Sequence, residues 1–549
     1  MQSLLKKITD EATTASIVKQ AVSAHGGTVY TLAVSGTTAR IWRWENEVLL
    51  QVPDAWAASL RLHGVLSGGD LIVSALTDGG RQVHAVNGLG HVRCLALLQG
   101  DEEVATAGDR LLFYGVDGVE RTDPDRTRGT KLTTADVVRI SSDRRGACVA
   151  FVTRPAPNAD VMAWRPGAAP VKLVSGDASV RPLRAEVCAD GCHVAVVVRR
   201  PSDRQVWIYD LSSSERTVVV DRASDTLAWD ESCVLISADD GWPYARLHRT
   251  DSRGNTEVLG LGLGAITGLL STARGIQVHV SSVDHPPCVK PLATIVVDES
   301  RTLPTLSVEV GTRHGNLRTL RRRGADRAGR DVFVLHGGPY GLWTPCWDPV
   351  VELLDGMALR VHQLEAPYTA ALHRRHAPLQ RGDFGVVDAE SVADAIREIT
   401  TGSRTAPLIV GHSYGGFLGV RATQLMDGDV AGLFLMSSVW RAEDLAFLRD
   451  DDRIRSSPLS AFLRHAYPPE VAIPPAQLPV TVPVTVIHGA KDTIVPPNIA
   501  REATAGTLNA SLVVLPDEGH IPRSPSAVAR VLLELASWVE RTGHLADKD

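Results

Sequence analysis

From about Ala21 to about Thr294, the chain alternates short apolar runs with clusters of turn-forming residues. The runs are rich in β-branched residues, and clusters such as SGG, DGG and SRGN separate them, as in antiparallel strands joined by tight turns. Their starts fall roughly 35 to 45 residues apart, which is the length of one four-stranded propeller blade. The pattern therefore predicts a seven-bladed β-propeller, with a large β-sandwich or two sandwich domains as the alternative. The segments are TVYTLAVSGTTARIWRW, RLHGVLSGGDLIVSALTDGGRQVHAV, VRCLALLQGDEEVATAGDRLLFYGV, VVRISSDRRGACVAFVTRP with DVMAWRP, LRAEVCADGCHVAVVVRR with QVWIYDL, SDTLAWDESCVLISADD with ARLHRT, and AITGLLSTARGIQVHVSSV.

After about Pro304, short apolar runs alternate with segments that are compatible with helices. Runs that are apolar throughout are typical of strands buried on both faces of a sheet. This βαβ rhythm predicts a doubly wound, mostly parallel sheet, so the C-terminal part belongs to the α/β class. The expected strands are DVFVLHGG, ALRVHQL, APLIVGHS, GLFLMSS, VTVIHGA and SLVVLPD, and the expected helices include DAESVADAIREITT, FLGVRATQLM and SAVARVLLELASWVERT.

These patterns divide the chain into three expected segments: residues 1–20 with an amphipathic helix, residues 21–300 with the propeller, and residues 301–549 with the α/β domain. A chain of 549 residues is too long for one compact core, which agrees with this division. The basic run between Arg318 and Arg330 is interpreted as a solvated turn between strands.

Composition and charge argue against several classes of partner. The formal net charge is −6 and the charges are spread along the chain, which argues against a nucleic acid partner. The amino terminus lacks the apolar core of a secretion signal, and no stretch approaches the length of a membrane helix, so we expect a cytoplasmic protein without a membrane partner. The seven cysteines are scattered, which indicates reduced thiols. Cys188 and Cys192 have no second pair nearby, so no metal site is predicted.

The segment PLIVGHSYGG at residues 407–416 carries the first indication of chemistry. An apolar run followed by G-x-S-x-G is typical of a nucleophile elbow, in which a buried strand turns sharply into a helix. The glycines permit close backbone approach, and the turn exposes the hydroxyl of Ser413 above the sheet. By itself the motif also fits a turn of small residues without chemistry, so the assignment depends on the rest of the chain.

An acid and a histidine follow this serine in the chain order that a nucleophile elbow requires. Asp492 comes after the run VTVIHG, and His520 comes after the run SLVVLPD, so both follow predicted strands. The carboxyl ends of the strands form the edge where open α/β sheets build their sites. Ser413, Asp492 and His520 are therefore predicted as nucleophile, acid and general base. Asp517 and Glu518 compete as the acid, although neither follows the right strand.

Acyl transfer also needs hydrogen-bond donors for the oxyanion that develops on the substrate carbonyl. The backbone N–H of Tyr414 directly follows the nucleophile and is the first candidate. The loop HGGPYG after an earlier strand supplies the second candidate, because paired glycines let a backbone N–H point into the site. We prefer Gly338 as this donor, with Gly337 second. His336 in the same loop contributes either its ring or a structural role.

With HGGP, GHSYGG, HGAKD and DEGH in this order behind a propeller-like half, the chain resembles the prolyl oligopeptidase family of serine peptidases. The catalytic resemblance covers roughly residues 305–549, and the HGGP form is more similar to the acylaminoacyl-peptidase and dipeptidyl-peptidase-like branches of that family. Where those branches usually carry N-Y-R-G-S, this chain reads EAPYTAALHRRHAP. Tyr368 is the candidate match for the family tyrosine, but the arginine and the following glycine are absent. This departure indicates a rebuilt substrate loop.

The resemblance implies an α/β-hydrolase catalytic domain, a propeller that restricts access to the site, and an N-terminal segment at residues 1–20 that packs on the catalytic domain. It implies hydrolysis of short peptides through an acyl-enzyme, by an oligopeptidase or an exopeptidase that needs no metal or organic cofactor. The same triad fits a serine esterase, a thioesterase or an acyltransferase, including a peptide-maturation or macrocyclising enzyme. A propeller interaction protein with an inactive hydrolase domain is the alternative from a different class.

Overall fold

The computed structural model of this chain divides into two compact units. One unit comprises residues 14–301, and the other comprises residues 1–13 together with residues 302–549. The described residues run from 2 to 546 with gaps at 16–19, 24–28, 36–37, 44–47, 53–59, 67, 78, 88–90, 100–101, 108, 116, 124–128, 144, 154–158, 178, 201–203, 214, 222, 231–234, 240–245, 252, 261–264, 273–274, 284, 296–304, 323–328, 339–342, 368–384, 446–474, 480 and 523.

The unit formed by residues 14–301 consists of antiparallel sheets that follow one another along the chain. Within each sheet every strand pairs with the next strand in sequence, and the described residues form six four-stranded sheets and a final three-stranded sheet. The first three sheets contain β1 (Gln20–Ser23), β2 (Val29–Ser35), β3 (Thr38–Arg43), β4 (Val48–Gln51), β5 (Arg61–Val65), β6 (Leu71–Thr77), β7 (Gly80–Val86), β8 (Val92–Leu97), β9 (Glu103–Ala107), β10 (Arg110–Gly115), β11 (Gly118–Thr122) and β12 (Thr130–Thr133).

The remaining strands of this unit follow the same order. The next three sheets contain β13 (Val137–Ser142), β14 (Val149–Thr153), β15 (Asp160–Trp164), β16 (Val171–Ser175), β17 (Arg181–Val187), β18 (His193–Arg199), β19 (Arg204–Asp210), β20 (Arg216–Asp221), β21 (Ala223–Trp229), β22 (Leu235–Asp239), β23 (Arg246–Thr250) and β24 (Thr256–Gly260). The last sheet contains β25 (Ala265–Thr272), β26 (Gly275–Ser282) and β27 (His285–Pro291), and a short 3-10 helix (Leu292–Thr294) follows it.

The first strand of each sheet lies against the first strand of the next. Contacts join β1 to β5, β5 to β9, β9 to β13, β13 to β17, β17 to β21 and β21 to β25, and β25 contacts β1 again. The sheets therefore form a closed, propeller-like ring, in which every sheet has two neighbours. The sequence-based prediction of a propeller is confirmed at this level, in preference to the sandwich alternative.

Strand β18 shows how this ring buries apolar residues on both sides of a sheet. Val194 and Val196 pack in a core cluster with Ala150 of the preceding sheet. Ala195, which lies between them, packs in a second cluster with Leu227 of the following sheet. Successive side chains of a strand point to opposite faces, so the two clusters lie on opposite faces of the sheet. This explains why β18 is an unbroken apolar run rather than an alternating one.

The predicted segment that begins at Val92 does not coincide with a sheet. Its first part is β8, which pairs with β7 and completes the second sheet. Its later part is β9 and β10, which open the third sheet. The predicted boundary is therefore wrong at this position by one strand.

The second unit contains one eight-stranded sheet with helices packed against it. Its strands are β28 (Thr305–Thr312), β29 (Gly315–Arg322), β30 (Asp331–Leu335), β31 (Arg360–Leu364), β32 (Leu408–His412), β33 (Gly432–Met436), β34 (Val484–Gly489) and β35 (Ala510–Leu515). Its helices are α1 (Gln2–Ala15), α2 (Pro349–Gly356), α3 (Val386–Thr400), α4 (Tyr414–Leu425), α5 (Pro497–Thr504) and α6 (Pro525–Ala546), with a short 3-10 helix at Ala442–Leu445.

The strand order in this sheet is β28, β29, β31, β30, β32, β33, β34, β35. The six strands from β30 to β35 are parallel, and β28 and β29 form an antiparallel pair at one edge. All six predicted strands and all three predicted helices lie where the sequence pattern places them. The basic run, interpreted as a turn, instead begins inside a strand, because Arg318 and the following residues to Arg322 belong to β29.

Helices cover both faces of the sheet. Leu433 and Leu435 of β33 share a core cluster with Phe417 of α4. Phe434, between them, has its ring centroid 5.6 Å from that of Trp538 in α6. Because adjacent side chains of a strand point to opposite faces, α4 and α6 lie on opposite sides of the sheet.

The N-terminal helix α1 belongs to the same unit as the sheet. Leu5 and Ile8 of this helix are buried. A Cβ atom built on Gly356 at the end of α2 would lie 2.6 Å from Leu4 Cδ2, so the two helices meet there. In the part of the chain that the structure describes, no helix has the length and apolar character needed to cross a membrane.

A buried ion cluster fixes the start of β30. Asp331 is 2% exposed, accepts a hydrogen bond from Arg360 Nε at 2.9 Å, and lies 2.8 Å from His362 Nε2. Burial would raise the pKa of Asp331, but the hydrogen bonds from His362 and Arg360 outweigh it and lower that pKa to about 2. The cluster therefore joins β30 to β31 away from the carboxyl ends of the strands.

We expect Asp331→Asn to destabilise the second unit by about 3 kcal/mol at pH 7, because it breaks a buried ion pair. An aspartate with an unfolded pKa of 3.8 and a folded pKa of about 2 contributes its full stabilisation above the first value. That contribution is lost as the pH falls through the second value. The difference in thermal midpoint between wild type and variant should therefore shrink from about pH 4 to pH 2.

Asp394→Asn is the matched control for this experiment. Asp394 pairs with Arg313 at 2.7 Å, but the arginine side chain is 52% exposed. An exposed pair contributes about 0 to 1 kcal/mol, so this variant should unfold close to wild type. If the difference in thermal midpoint between wild type and Asp331→Asn stays constant from about pH 4 to pH 2, the stabilising role assigned to the Asp331 carboxylate is wrong.

Candidate active site

Ser413 occupies a strained turn between a strand and a helix. Strand β32 ends at His412 and helix α4 begins at Tyr414, so one residue changes the chain direction. Ser413 has φ 53° and ψ −117°, in the left-handed half of backbone space, where a non-glycine residue is strained by about 1–3 kcal/mol. Its N–H donates to the Met436 carbonyl at 2.8 Å, and its carbonyl accepts from the Gly416 N–H at 3.0 Å. The surrounding backbone therefore fixes the predicted nucleophile elbow.

The glycines of the motif are required by close packing. A Cβ on Gly415 would lie 2.3 Å from the Leu335 carbonyl oxygen, and a Cβ on Gly416 would lie 1.7 Å from Ser438 Oγ. Real side chains do not approach this closely, so α4 can pack on β30 and β33 only with glycine at these positions. The sequence signal G-x-S-x-G-G thus describes the fit of a helix against a sheet.

The structure brings Ser413, His520 and Asp492 together at one edge of the sheet. His520 Nε2 lies 3.0 Å from Ser413 Oγ, and His520 Nδ1 lies 2.8 Å from Asp492 Oδ2. With the proton on Nδ1, His520 donates to Asp492 and accepts from the Ser413 hydroxyl. Each residue follows its own strand (β32, β34 and β35) because parallel strands end at a common edge.

The other two acids near His520 have different partners. Asp517 pairs with Lys491 at 2.9 Å on the surface. Glu518 accepts a hydrogen bond from the Ser524 N–H at 3.2 Å. Asp492 is therefore the acid that the folded chain brings to the histidine ring.

Asp492 is held in its ionised form by several donors. Its Oδ1 accepts from the backbone N–H groups of Ile494 and Val495, both at 2.9 Å. Burial alone would raise the pKa of the Asp492 carboxyl, but the hydrogen bonds from His488 and His520 outweigh it and hold that pKa well below its usual range. A permanent carboxylate results, which can orient the His520 ring and stabilise it when it is charged.

His488 is a second histidine on this carboxylate that the sequence analysis missed. Its Nε2 lies 2.8 Å from the Val495 carbonyl oxygen and 3.2 Å from Asp492 Oδ2, and its side chain is fully buried. The Nε2–H of His488 therefore lies between two acceptors, the Val495 carbonyl oxygen and the Asp492 carboxylate. The segment HGAKD contains this residue four positions before the acid, and that spacing was the available signal.

His412, directly before the nucleophile, was also missed. Its Nε2 lies 3.4 Å from the carbonyl oxygen of His520, and the two ring centroids are 5.2 Å apart. Burial, followed by the charge of His520, lowers the pKa of His412 to about 4. His412 therefore stays neutral at neutral pH and adds no second positive charge beside His520.

Two of the candidate oxyanion donors, Gly337 and Tyr414, lie next to Ser413. A Cβ on Gly337 would lie 3.3 Å from Ser413 Cβ and 2.7 Å from His412 Nδ1, so the glycine loop reaches the elbow. Gly338, the preferred donor, is the next residue of that loop. The N–H of Tyr414 belongs to the first turn of α4, where N–H groups have no acceptor within the helix.

The side chain of Tyr414 lies inside the unit, away from the nucleophile. It is 1% exposed, and its hydroxyl donates to Asp388 Oδ2 at 2.7 Å. Its ring stacks on that of Phe417 with centroids 6.2 Å apart. Only the backbone of Tyr414 is thus available to a reacting carbonyl.

His336 of the glycine loop and Tyr368 of the expected substrate loop were both candidates to contact the substrate. His336 Nδ1 lies 2.7 Å from the Gly337 carbonyl oxygen, and its ring meets that of Trp343 edge to face at 5.5 Å. These contacts join the His336 ring to the glycine loop and to Trp343. Tyr368 lies outside the described residues.

A hydroxyl, an imidazole and a carboxylate in hydrogen-bonded sequence form the arrangement that transfers a proton during nucleophilic attack. Together with the propeller-like ring and the mostly parallel sheet in one chain, this arrangement is that of the prolyl oligopeptidase class of fold. The resemblance indicated by the sequence motifs is confirmed at the level of the fold, because solved structures of peptidases share it.

Three solved structures illustrate the likeness. A puromycin-hydrolysing peptidase from Mycobacterium tuberculosis matches with a TM-score of 0.71 at 16% identity over 98% of this chain and 96% of that chain. One of two prolyl endopeptidases analysed together matches with a TM-score of 0.70 at 14% identity over 100% and 92%. The acylaminoacyl peptidase of Pyrococcus horikoshii matches with a TM-score of 0.67 at 12% identity over 97% of both chains. At these identities, the likeness shows a shared fold.

Sequence comparison gives a more local result. A pyrethroid hydrolase from Sphingobium wenxiniae is 30% identical over 112 residues, which are 20% of this chain and 37% of that protein. The chain thus spans little more than a third of the curated relative that it matches. No protein-family model matches the chain.

Proposed function

We propose that this protein is a serine peptidase of the prolyl oligopeptidase family that cleaves short peptides through an acyl-enzyme. The observation that carries the proposal is the position of His520, whose two ring nitrogens lie 3.0 Å from Ser413 Oγ and 2.8 Å from Asp492 Oδ2. This is hydrogen-bonding reach on both sides of the ring, which general base catalysis requires.

In the proposed reaction, Ser413 Oγ attacks the carbonyl carbon of the scissile bond while His520 Nε2 takes the hydroxyl proton. The carbonyl oxygen becomes an oxyanion, which the N–H groups of Tyr414 and Gly338, with Gly337 as the alternative to Gly338, stabilise. His520 then gives the proton to the leaving amine, and the acyl-enzyme forms. Water then attacks the carbonyl carbon of the acyl-enzyme while His520 Nε2 takes a proton from it. His520 gives this proton to Ser413 Oγ, and the carboxylic acid product is released.

We further propose that each antiparallel sheet of residues 14–301 is one blade of a seven-bladed propeller, and that residues 302–549 form an α/β-hydrolase domain. The ring of first-strand contacts and the strand order with its serine elbow support these assignments. Within this proposal, the propeller restricts the site to short peptides, as the family resemblance implies.

Hydrolysis or transfer of an ester is the second candidate. The local sequence match to a pyrethroid hydrolase favours it, because a pyrethroid is not a peptide. Both candidates share the attack by Ser413 and differ in the bond that is broken. A serine esterase, a thioesterase or an acyltransferase, including a macrocyclising enzyme, would all use the same acyl-enzyme.

A panel of fluorogenic substrates separates the two candidates. It pairs each aminoacyl amide with the ester of the same acyl group, in free and amino-blocked forms and with X-Pro members. We expect amide cleavage, together with labelling of Ser413 by a fluorophosphonate probe. Matching the acyl group holds binding of that half constant, so the ratio of kcat/KM values reports the leaving group alone.

Each other outcome has a definite meaning. Cleavage of esters without amides would overturn the peptidase assignment and establish the second candidate. Products in which an added amine replaces water would identify an acyltransferase. Failure of the probe to label Ser413 in folded protein would instead indicate an inactive hydrolase domain.

A further inference from the structure

The turn between β17 and β18 brings together three kinds of metal ligand. Cys188, Asp190 and His193 each present one ligand atom there, and these atoms lie within 4.8 Å of one another. Among the described residues, no other group of three such side chains has its ligand atoms this close together. The turn belongs to the ring of residues 14–301 and is separate from the triad.

A second turn in the same ring shows what Cys188 replaces. In the turn between β13 and β14, the N–H of Asp143 bonds the Cys148 carbonyl at 3.0 Å, and the Cys148 N–H returns to Asp143 Oδ1 at 2.7 Å. In the turn between β17 and β18, Cys188 and His193 have the same spacing and the same backbone bond, at 2.9 Å. There the His193 N–H donates to Cys188 Sγ at 3.0 Å. The sulfur therefore takes the place of a carboxylate oxygen.

The turn between β23 and β24 has a similar arrangement, again with an aspartate. The N–H of Asp251 bonds the Asn255 carbonyl at 3.0 Å, and the Asn255 N–H donates to Asp251 Oδ1 at 2.9 Å. In both of these turns the returning N–H meets a carboxylate, an acceptor that is negative at neutral pH. The Cys188 sulfur thus occupies the position that a carboxylate oxygen takes in the other two turns.

The Cys188 thiol faces a carboxylate inside the turn. Its side chain is fully buried, and the thiol donates a hydrogen bond to Asp190 Oδ1 at 2.5 Å. A bound divalent cation deprotonates a coordinating thiol, so it would replace this one proton between the sulfur and the carboxylate.

His193 contributes a nitrogen that needs a partner. Its Nδ1 is buried and makes no hydrogen bond with the described residues. A buried polar atom without a partner destabilises a protein by about 1–3 kcal/mol. A metal ion bound to the imidazole of His193 would relieve that cost.

We propose that this turn binds one Zn²⁺ ion through Cys188 Sγ, a carboxylate oxygen of Asp190 and an imidazole nitrogen of His193. Sulfur, nitrogen and oxygen ligands in this combination suit Zn²⁺, and bond lengths of about 2.0–2.3 Å fit ligand atoms of this separation after small side-chain shifts. Water completes the coordination, and binding releases the Cys188 proton to solvent. Cys192 is not a member of the group whose ligand atoms lie within 4.8 Å of one another, and its side chain is exposed.

The test is metal binding by the full-length protein after treatment with a chelator. Zn²⁺ is titrated in competition with a chromophoric chelator, and Co²⁺ is added separately to detect the absorption of a cobalt–thiolate bond. We expect one equivalent of Zn²⁺, a cobalt–thiolate band, and a higher thermal midpoint with metal than without it. His193→Gln and Asp190→Asn should each weaken Zn²⁺ binding by at least about 100-fold, since even outer-shell changes weaken it 10- to 100-fold.

Cys192→Ser is the matched control, because it changes a thiol of the same turn that is outside the ligand group. It should leave the Zn²⁺ affinity and the cobalt band unchanged, whereas Cys188→Ser should abolish the band. If Cys188→Ser unfolds the sheet, His193→Gln and Asp190→Asn still test the proposed ligand set. Substoichiometric binding, affinity unaffected by His193→Gln, or equal losses from Cys192→Ser and His193→Gln would each overturn the proposed ligand set.

Discussion

Replacement of Ser413 by alanine is expected to lower kcat for every substrate of this site by about 10⁶-fold, because no other group can form the acyl-enzyme. The fold should persist, since the turn is held by the bond from the residue 413 N–H to the Met436 carbonyl at 2.8 Å rather than by the hydroxyl. The measurement is steady-state hydrolysis of the most rapidly cleaved member of the substrate panel, with circular dichroism and the thermal midpoint as checks on folding.

Ser438→Ala provides the matched control for this variant. Ser438 is buried against the same elbow, and its Oγ makes no hydrogen bond within the described residues. Removal of this hydroxyl should leave kcat within a few-fold of wild type, since it touches neither His520 nor a reacting atom. Comparable losses in the two variants would point to a packing effect, and full activity of folded Ser413→Ala would sink the nucleophile assignment.

Asp492→Asn is expected to lower kcat by about 10⁴-fold with little change in KM. An asparagine can still accept the N–H groups of Ile494 and Val495, so the loop should keep its shape. Its amide nitrogen cannot accept the proton of His520 Nδ1, and it therefore favours the tautomer with the proton on Nε2. That tautomer cannot take the proton of Ser413, which is the reason for the loss.

The pH dependence of the proposed reaction in the wild-type protein follows from the same site. Hydrogen bonds from His488 and His520 hold the pKa of Asp492 well below its usual range, so this carboxylate stays ionised above about pH 4. Its protonation therefore contributes no inflection to the rate profile above that pH.

Asp517→Asn is the control for Asp492→Asn. It removes an acid that is paired with Lys491 on the surface, and it should retain full kcat. Equal activity of Asp492→Asn and Asp517→Asn would remove Asp492 from the mechanism.

The buried parts of the fold could be predicted from sequence, and the exposed parts less well. Strands β30, β32, β33 and β34 are buried along nearly their whole length, so each appears as a mostly apolar run with a clear start and end. Strands β28 and β29 form an antiparallel pair at the edge of the sheet, where Val308 is 38% exposed and arginines alternate with apolar residues. That pattern resembles a solvated segment, so both strands were missed.

Sheet boundaries in the ring have a different difficulty. Residues 87–91 separate β7 from β8 within one sheet, and residues 98–102 separate β8 from β9 in two different sheets, so each gap contains five residues. Equal spacing in sequence cannot distinguish a hairpin within a sheet from a connection between sheets. The distinction depends on which strands pair, and this information is absent from a single apolar run.

The meeting of Ser413, Asp492 and His520 at one edge of the sheet was predictable, because each of them follows its own strand in a fixed order. His488 and His412 were not predicted, since their roles come from burial and from contacts with Asp492 and His520 across the sheet edge. A histidine beside a strand end has many ordinary structural uses. Only the folded positions show that these two surround the acid and the base.

The inward position of Tyr414 bears on how this protein can be redesigned. Its ring is stacked on Phe417 and its hydroxyl is bonded to Asp388, so the residue after the nucleophile is part of the core. Gly415 and Gly416, which follow Tyr414, have no volume around them for new side chains. A laboratory selection that randomises this helix start would mostly discard unfolded proteins. Libraries aimed at new substrates should leave the helix start constant and diversify loops instead.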